Sequence, residues 1–303
     1  MSIQDVLMAR IDRLPQEQKN ALQIAAVIGR EFAARLFERI AGLEDSASDV
    51  LGELVGLEFF YQTQFYPELA YMFKHALTHD VAYDNLLTSK RKAIHAQVGE
   101  VVEELYSTRM AEYCEMLAHH YERGEVWVKA VNYLVKAGMK ARQNYALQAA
   151  MTYLNRAKEI LEQQAPEIPW KTSFDLCSLR GLTLGEQGKW QNAVKEYKSA
   201  SEIAERENAT DLRVQALMSW ANATRYGVDV DETLKILKKA ESLVVDNPVW
   251  TLGMVVTQLH AHLSAGNLND ALEKEKILND LHNKTDPSFF KIVAAMFGGM
   301  LHR

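Results

Sequence analysis

Two histidines in the segment FKHALTHDVAYDNLL, residues 73–87, stand four residues apart and are the first candidates for chemistry. On a helix, His75 and His79 would share one face, where two imidazoles can bind one metal ion. The residues between them are Ala-Leu-Thr, so the general-base glutamate of a zinc protease motif is absent, and no third ligand is evident. We therefore expect no metal here. A switch element and a hydrogen-bonded histidine beside Asp80 stay open as alternatives.

The segment TLGEQGKW is the nearest approach to a phosphate-binding loop. Thr183 occupies the position of the first glycine, and Trp190 follows Gly188-Lys189 where a magnesium-binding hydroxyl belongs. The segment is better interpreted as a turn between repeats. Since signatures of serine, cysteine or lysine nucleophiles are also absent, we expect this chain not to be an enzyme and to hold no cofactor of its own.

The remaining cysteines and paired histidines add no site. Cys114 and Cys177 lie far apart without a C-x-x-C motif, which indicates small buried residues in a reducing cytosol. His119 and His120 would point about 100° apart on a helix and cannot easily share an ion. The N-terminal residues MSIQDVLMARIDRL do not resemble a secretory signal. The sequence therefore predicts a cytoplasmic protein.

The elements that must position these residues are mainly helices. Only six prolines and fifteen glycines occur among 303 residues, which favours an all-α class. Residues 247–269 contain no Lys, Arg, Asp or Glu, but Gln258, His260 and His262 would be costly in hydrocarbon. We therefore predict a buried helix in this segment and no membrane span.

Residues 1–108 predict several short helices and one β-hairpin. SIQDVLMARIDRL places apolar residues on one face, among them Ile3 and Val6, and the next helix should end at Gly29. Two aromatic-rich runs, LEFFYQTQFY and LAYMFKH, flank Pro-Glu and suit a pair of strands. Short helices with a single hairpin are the pattern of a winged-helix module.

A winged helix can bind DNA, but the charge of this module opposes that function. Residues 1–108 contain ten Lys and Arg against sixteen Asp and Glu, so the whole net charge of −6 lies there. The one basic run, KRK at 90–92, begins a helix that ends in the acidic EVVEEL. A DNA-binding transcriptional regulator with a repeat sensor is therefore only the alternative hypothesis.

Residues 109–303 predict paired helices with tetratricopeptide spacing, an α-solenoid. The clearest unit is RGLTLGEQGKWQNAVKEYKSAS, in which small residues let two helices approach and Tyr197 fills the gap between pairs. Equivalent positions recur at steps of 40 and 38 residues, so the helices should be longer than in a 34-residue repeat. The small or apolar positions of the first two units are Ala118, Tyr121, Ala130, Ala137, Gly181, Gly188, Ala193, Tyr197 and Ala200.

Two breaks frame the repeats. The segment APEIPW carries two prolines and should interrupt the helices between Gln164 and Lys171. The segment DPSFFKIVAAMFGGMLHR begins another apolar helix without a polar capping helix after it. Because terminal repeats normally present a solvent-compatible face, we expect the array to be truncated at its C-terminus.

Several motifs in order resemble the region that follows the nucleotide-binding domain in bacterial STAND-type AAA ATPases, including proteins similar to soluble adenylate cyclases. The resemblance covers about the first 165 residues, and the rest is similar only as generic repeats. The matching segments are ARIDRLP (9–15), AAVIGREF (25–32), FKHALTHDVAY (73–83), RKAIHAQVGEVVEELY (91–106), LAHHYERGE (117–125) and KAVNYLVKAG (129–138).

The resemblance implies a role for His75. In relatives of this ATPase class, a Met-His-Asp-Leu segment of the winged helix places its histidine against the phosphates of bound ADP. FKHAL is similar, although Ala76 replaces the aspartate. It also implies a non-catalytic regulatory region of a larger signalling ATPase, with ATP or ADP bound only by the full-length protein. The expected partners are a protein or peptide in the repeat groove and the nucleotide-binding domain of the parent chain, with neither nucleic acid nor membrane.

Overall fold

The computed structural model shows a chain built from helices with one small sheet. Helix-forming residues dominate the sequence, and the helices follow its apolar periodicity closely. The structure describes residues 2–43, 46–65, 68–164, 167–226, 229–244 and 247–284.

The N-terminal elements alternate helices with short strands. Helix α2 ends at Ile28, and the N–H of Gly29 closes its last turn on Ala25, as the sequence predicts. The elements are α1 (Ile3–Asp12), α2 (Gln16–Ile28), β1 (Glu31–Ala33), α3 (Ala34–Ala41), α4 (Ala47–Gly56), β2 (Phe60–Gln64), β3 (Ala70–Phe73), α5 (Ala76–Asp84) and α6 (Thr88–Leu105).

The predicted hairpin is present as β2 and β3, and a third strand that the sequence analysis did not predict joins it. The sheet has three antiparallel strands in the order β1-β3-β2, and Phe32 of β1 pairs with Tyr71 of β3. The three residues Glu-Phe-Ala are too few to show a period of two. Strand β1 therefore exists through its hydrogen bonds to β3, which local sequence does not report.

An aromatic cluster anchors this sheet on the neighbouring helices. Phe60 contacts Phe32 and Phe73 edge to face, with ring centroids 5.2 and 4.8 Å apart. Phe37 of α3 lies 5.7 Å from Phe32. All four rings are buried. Such pairs contribute roughly 0.5–1.5 kcal/mol each beyond their buried area, so the sheet is held mainly by packing.

The apolar face predicted for α1 is only partly buried. Ile11 is buried, whereas the side chains of Ile3 and Val6 are 71% and 52% exposed. Ser2 caps the helix in a reciprocal capping box with Asp5. The cap and the local pattern fix the helix, but tertiary packing covers only its C-terminal half.

From Cys114 onward the chain forms successive helices with short turns. The predicted break at APEIPW lies between α9 and α10, and the predicted helix after Asp286 falls outside the described residues. The helices are α7 (Cys114–Arg123), α8 (Trp127–Gln143), α9 (Leu147–Gln164), α10 (Trp170–Glu186), α11 (Trp190–Arg206), α12 (Thr210–Tyr226), α13 (Val230–Glu241), α14 (Pro248–Ser264) and α15 (Leu268–Lys284).

Tertiary contacts divide the chain into two compact units. The N-terminal unit comprises residues 1–137 with 160–166, and the C-terminal unit comprises residues 138–159 with 167–303. The domain boundary predicted at residue 108 stays a prediction. Helices α10, α12 and α14 are called first helices below, and α11, α13 and α15 second helices, because α10–α11, α12–α13 and α14–α15 pack as pairs.

Small residues at the predicted positions let these pairs approach. A Cβ placed on Gly181 would lie 2.7–2.9 Å from ring atoms of Tyr197, so α10 and α11 meet at a spacing that only glycine permits. Ala193, Ala200, Ala221 and their equivalents are fully buried. Helices α10 and α11 each have 17 residues, in agreement with the predicted long repeat.

Among the described residues, no helix is long and apolar enough to cross a membrane. The charge-free segment from residue 247 contains α14, whose Asn247 side chain caps the backbone amides of Val249 and Trp250. Eight of the 17 residues of α14 are buried, and the helix packs against α12, α13 and α15. Burial within the C-terminal unit therefore explains why this helix is apolar.

Candidate functional site

His75 lies at the junction between β3 and α5, where it is the last residue before the helix. Its backbone is extended (φ −131°, ψ 131°), and its side chain is exposed and does not cap α5. Glu58 lies near enough that the charge of His75 contributes weakly to lowering the carboxylate pKa, after the larger effects of Lys74. An exposed imidazole at this junction is accessible to another molecule or domain.

His79 has different surroundings from His75. Its Nδ1 lies 2.9 Å from Oδ1 of Asp80, and its ring packs edge-on against Phe73 and parallel to Tyr83. The structure therefore places one histidine in solvent and the other half-buried against the sheet. No group of three or more potential ligands capable of holding a metal ion occurs in the described part of the chain.

A hydrogen-bonded relay of buried histidines links four helices of the N-terminal unit. The hydroxyl of Tyr83 on α5 lies 3.0 Å from Nε2 of His95 on α6, and Nδ1 of His95 lies 2.9 Å from Nδ1 of His120 on α7. His120 also forms a hydrogen bond with the backbone of Ile28 on α2. His95 and His120 are 1% and 2% exposed. We refer to this set of four residues as the histidine relay.

One set of tautomers satisfies every member of the relay. Assigning the His120 proton to Nε2, toward the backbone of Ile28, leaves Nδ1 of His120 to accept from the Nδ1–H of His95. Nε2 of His95 then accepts from the Tyr83 hydroxyl. Both imidazoles are neutral in this arrangement. A proton added to Nδ1 of His120 would face the N–H of His95 and break the relay.

The electrostatic surroundings reinforce the neutral state. Burial is the main cause that lowers the pKa of His120 to about 3 and that of His95 to about 4. The neighbouring His119 and, for His95, the guanidinium groups of Arg123 and Arg91 lower the pKa of the imidazoles further. Both rings therefore stay uncharged at neutral pH, and their protonation is coupled to the packing of α2, α5, α6 and α7.

Sequence reasoning missed this relay. His95 and His120 are 25 residues apart and belong to different helices, so no local spacing joins them. From the adjacency of His119 and His120, the sequence predicted only that the two side chains would not share an ion. In the structure, only His120 of this pair belongs to the relay. The signal that could have indicated the relay was the concentration of His, Tyr and Arg in RKAIHAQVGE and LAHHYERGE, two of the segments that resemble the ATPase family.

In the C-terminal unit, one half-buried polar network joins three helices. The Nε of Arg180 on α10 donates to Oε1 of Glu196 on α11 at 3.0 Å, and Lys158 on α9 reaches the same oxygen at 3.1 Å. Arg180 also donates to Oδ1 of Asn155. Burial raises the pKa of the nearby Cys177 thiol to about 11, so this cysteine is protonated and unreactive. Two cations share one carboxylate in this network, which ties three helices together and has a structural role.

The segment that resembles a phosphate loop is a turn, as predicted. Gly188 adopts φ 75° between α10 and α11, and the Lys189 ammonium donates to the Gln187 side chain. The left-handed backbone explains the glycine without any phosphate.

Helices α12 and α14 form a layer, and α12 carries polar side chains on the side that faces away from α13. Helices α12 and α14 contact each other directly as well as contacting α13. On α12, Leu217 is buried toward α13, and the opposite side carries Gln215, Ser219 and Asn222 at successive turns. We call the outward side of this layer the first-helix face.

Comparison with known proteins identifies the repeat fold. No family model matches the sequence, and no curated protein sequence matches it. Among solved structures, TPR-like repeats assigned to a kinesin light chain from Podosopora anserina superpose with a TM-score of 0.50 at 14% identity, over 66% of this chain and 98% of that chain. This likeness shows a fold of tetratricopeptide-like repeats.

Two weaker likenesses span more of the chain. A STAND protein with a tetratricopeptide repeat sensor from Pyrococcus horikoshii matches 98% of this chain and 49% of its own, at 11% identity and a TM-score of 0.42. A Rap protein complexed with competence and sporulation factor matches 88% of this chain and 83% of its own, at 16% identity and a TM-score of 0.43. At these scores neither bears on the function of this chain.

Proposed function

We propose that this chain is a non-catalytic regulatory and protein-interaction region of a larger cytoplasmic signalling ATPase, and that its first-helix face binds a protein or peptide. The observation that carries the proposal is the stack of paired helices α10–α15, in which α12 presents polar side chains on the side away from α13. Repeats of this kind bind extended ligands on a surface built from several successive repeats rather than in a catalytic pocket.

The N-terminal unit is proposed to be a winged-helix-like adaptor. The order of α3, α4 and the β2–β3 hairpin, with β1 paired to β3, supports this assignment. In a DNA-binding version, the helix before the hairpin would enter the major groove. The exposed side chains of α4 include Asp49 and Glu53 and no cation. That face would repel phosphates, which favours a contact with protein over DNA.

His75 is proposed to contact the phosphates of ADP or ATP held by the nucleotide-binding domain of a parent chain. Its exposed imidazole at the β3–α5 junction supports this role because a ring N–H can donate to an anion. A ligand on the repeats would switch such a contact only by binding its two states with different affinity. In the parent chain, His75→Ala should weaken ADP retention, whereas an unchanged ADP off-rate would contradict the contact.

Selection from a random dodecapeptide display library on the immobilised full chain tests the binding function. For peptides that bind, Ser219→Arg, which places a long side chain on the first-helix face, should raise Kd at least about tenfold. Ser199→Arg is the matched control because Ser199 is exposed on the second helix α11. Circular dichroism melts establish that both variants fold. Failure to select any specific peptide, or equal effects of the two variants, would contradict the proposal.

A further inference from the structure

An open cavity of about 740 Å³ lies in the N-terminal unit, between the first turns of α3 and the C-terminal end of α6. The segment that leads into β3 and the single turn Ser107–Arg109 after α6 also line it. Its volume is in the range of sites that bind small molecules. We call it the α3–α6 cavity, and its lining includes the side chains of Arg35, Glu38, Glu68 and Tyr106.

One carboxylate of the cavity is held in a fixed orientation. The hydroxyl of Tyr106 donates to the two oxygens of Glu68, at 3.0 and 3.3 Å, and the Tyr106 ring stacks on Tyr113 with ring centroids 4.2 Å apart. Burial and then the charge of Glu68 raise the pKa of Tyr106, so the phenol keeps its proton at neutral pH. Because a carboxylate accepts up to about four hydrogen bonds and the phenol supplies one proton, Glu68 can still accept from a ligand.

Two guanidinium groups line the same cavity, but only one of them lacks a counter-charge. Arg109 is held by Glu112, with its Nε 2.9 Å from Oε1 and a second contact to Oε2. Arg35 is exposed and forms no ion pair within 4.0 Å with any residue that the structure describes. The same holds for the carboxylates of Glu38 and Glu68, which are half-buried. The cavity therefore contains opposite charges that do not pair with each other.

Apolar side chains complete the lining. Leu69, at the entry to β3, and Leu105, the last residue of α6, are both half-buried and face the cavity. Apolar walls with a few placed polar groups are typical of small-molecule sites. A guanidinium and a carboxylate that share a cavity without pairing fit a molecule that carries both charges, because each charged end of that molecule meets its opposite.

We propose that the α3–α6 cavity binds a small zwitterion, an amino acid with an apolar side chain. The guanidinium of Arg35 binds the carboxylate, Glu68 accepts from the ammonium, and Leu69 and Leu105 contact the apolar side chain. Binding forms two charge-assisted interactions and breaks no ion pair of Arg35 or Glu68 among the described residues. This site belongs to the N-terminal unit and does not depend on peptide binding by the first-helix face.

Isothermal titration calorimetry on the full chain at pH 7, with three ligands of nearly one shape, tests the site. The probes are L-leucine, L-leucinamide, which lacks the carboxylate, and 4-methylpentanoate, which lacks the ammonium. Leucine should bind with a Kd below about 1 mM and at least about tenfold more tightly than either analogue. Equal affinity for leucine and either analogue, or no binding of leucine in this range, would overturn the proposal.

Two substitutions assign the two charges separately. Arg35→Gln should weaken leucine binding at least about tenfold and leave the affinity for leucinamide unchanged, because the amide has no charge for the guanidinium. Glu68→Gln, which can still accept from Tyr106, should weaken leucine binding similarly and leave the affinity for 4-methylpentanoate unchanged.

The matched controls are Arg13→Gln and Glu17→Gln, since both residues are exposed in the same unit and lie outside the cavity. Both controls should bind leucine as the wild type does. Wild-type affinity for leucine in Arg35→Gln or in Glu68→Gln would contradict the proposal. Circular dichroism melts establish that the variants fold, and the three ligands on the wild-type chain decide the question even where a variant does not.

Discussion

Acidification from pH 7 to pH 5 should destabilise the N-terminal unit through the histidine relay. His120 has a pKa of about 3 in the folded protein against an ordinary value of 6.5. Because the folded value is the lower one, the unfolded state binds more protons once the pH falls below about 6.5. The free energy of unfolding is therefore fully retained above that pH and decreases as the pH falls toward 3.

The magnitude follows from these two values. At pH 5 an imidazole of pKa 6.5 is almost fully protonated, whereas one of pKa about 3 is almost fully neutral. The linkage relation then gives a loss of about 2 kcal/mol between pH 7 and pH 5 from His120 alone. His95, with a pKa of about 4, adds a loss of similar size. A loss of several kcal/mol is a large part of the stability of a domain.

Amide hydrogen exchange of peptides from α6 and α7, corrected for intrinsic rates, measures this opening. The wild-type opening free energy should fall by about 2–4 kcal/mol between pH 7 and pH 5. His120→Gln should open more easily at pH 7 but show a shallower pH dependence. His75→Gln is the matched control because His75 is exposed in the same unit and lies outside the relay. Equal slopes in the wild type and His120→Gln would refute the reasoning.

Three further single substitutions and one double variant test helix packing and ion pairing. In urea unfolding, Gly181→Ala should destabilise the C-terminal unit by about 1–3 kcal/mol because the new methyl group meets the Tyr197 ring. Gly52→Ala is the contrasting variant, since a methyl group there has nothing within 4 Å, and it should stabilise its exposed helix by about 0.5–1 kcal/mol. Glu196→Gln should cost about 3 kcal/mol because it leaves Arg180 half-paired. The double variant Arg180→Met/Glu196→Met should recover most of that loss in the same measurement, and a loss larger than that of Glu196→Gln would contradict the pairing.

Local patterns were sufficient for most of the helices and for the repeats. A period of 3.6 and helix-ending residues such as Gly29 act within one or two turns, so the sequence predicts these elements directly. The spacing of Gly181, Ala193 and Tyr197 predicts how α10 and α11 pack, because small and large residues must alternate across a close helix pair. The β2–β3 hairpin was predictable for the same reason, since its strands are neighbours in sequence.

The sequence by itself therefore determined that this protein is a helical chain of paired repeats after a hairpin-bearing module. Only the tertiary structure decided the partners of β1, the exposure of Ile3 and the histidine relay. Each of these depends on residues brought together from distant elements. Burial and hydrogen bonding depend on distance in space, and local periodicity carries no information about which helix will supply the neighbour.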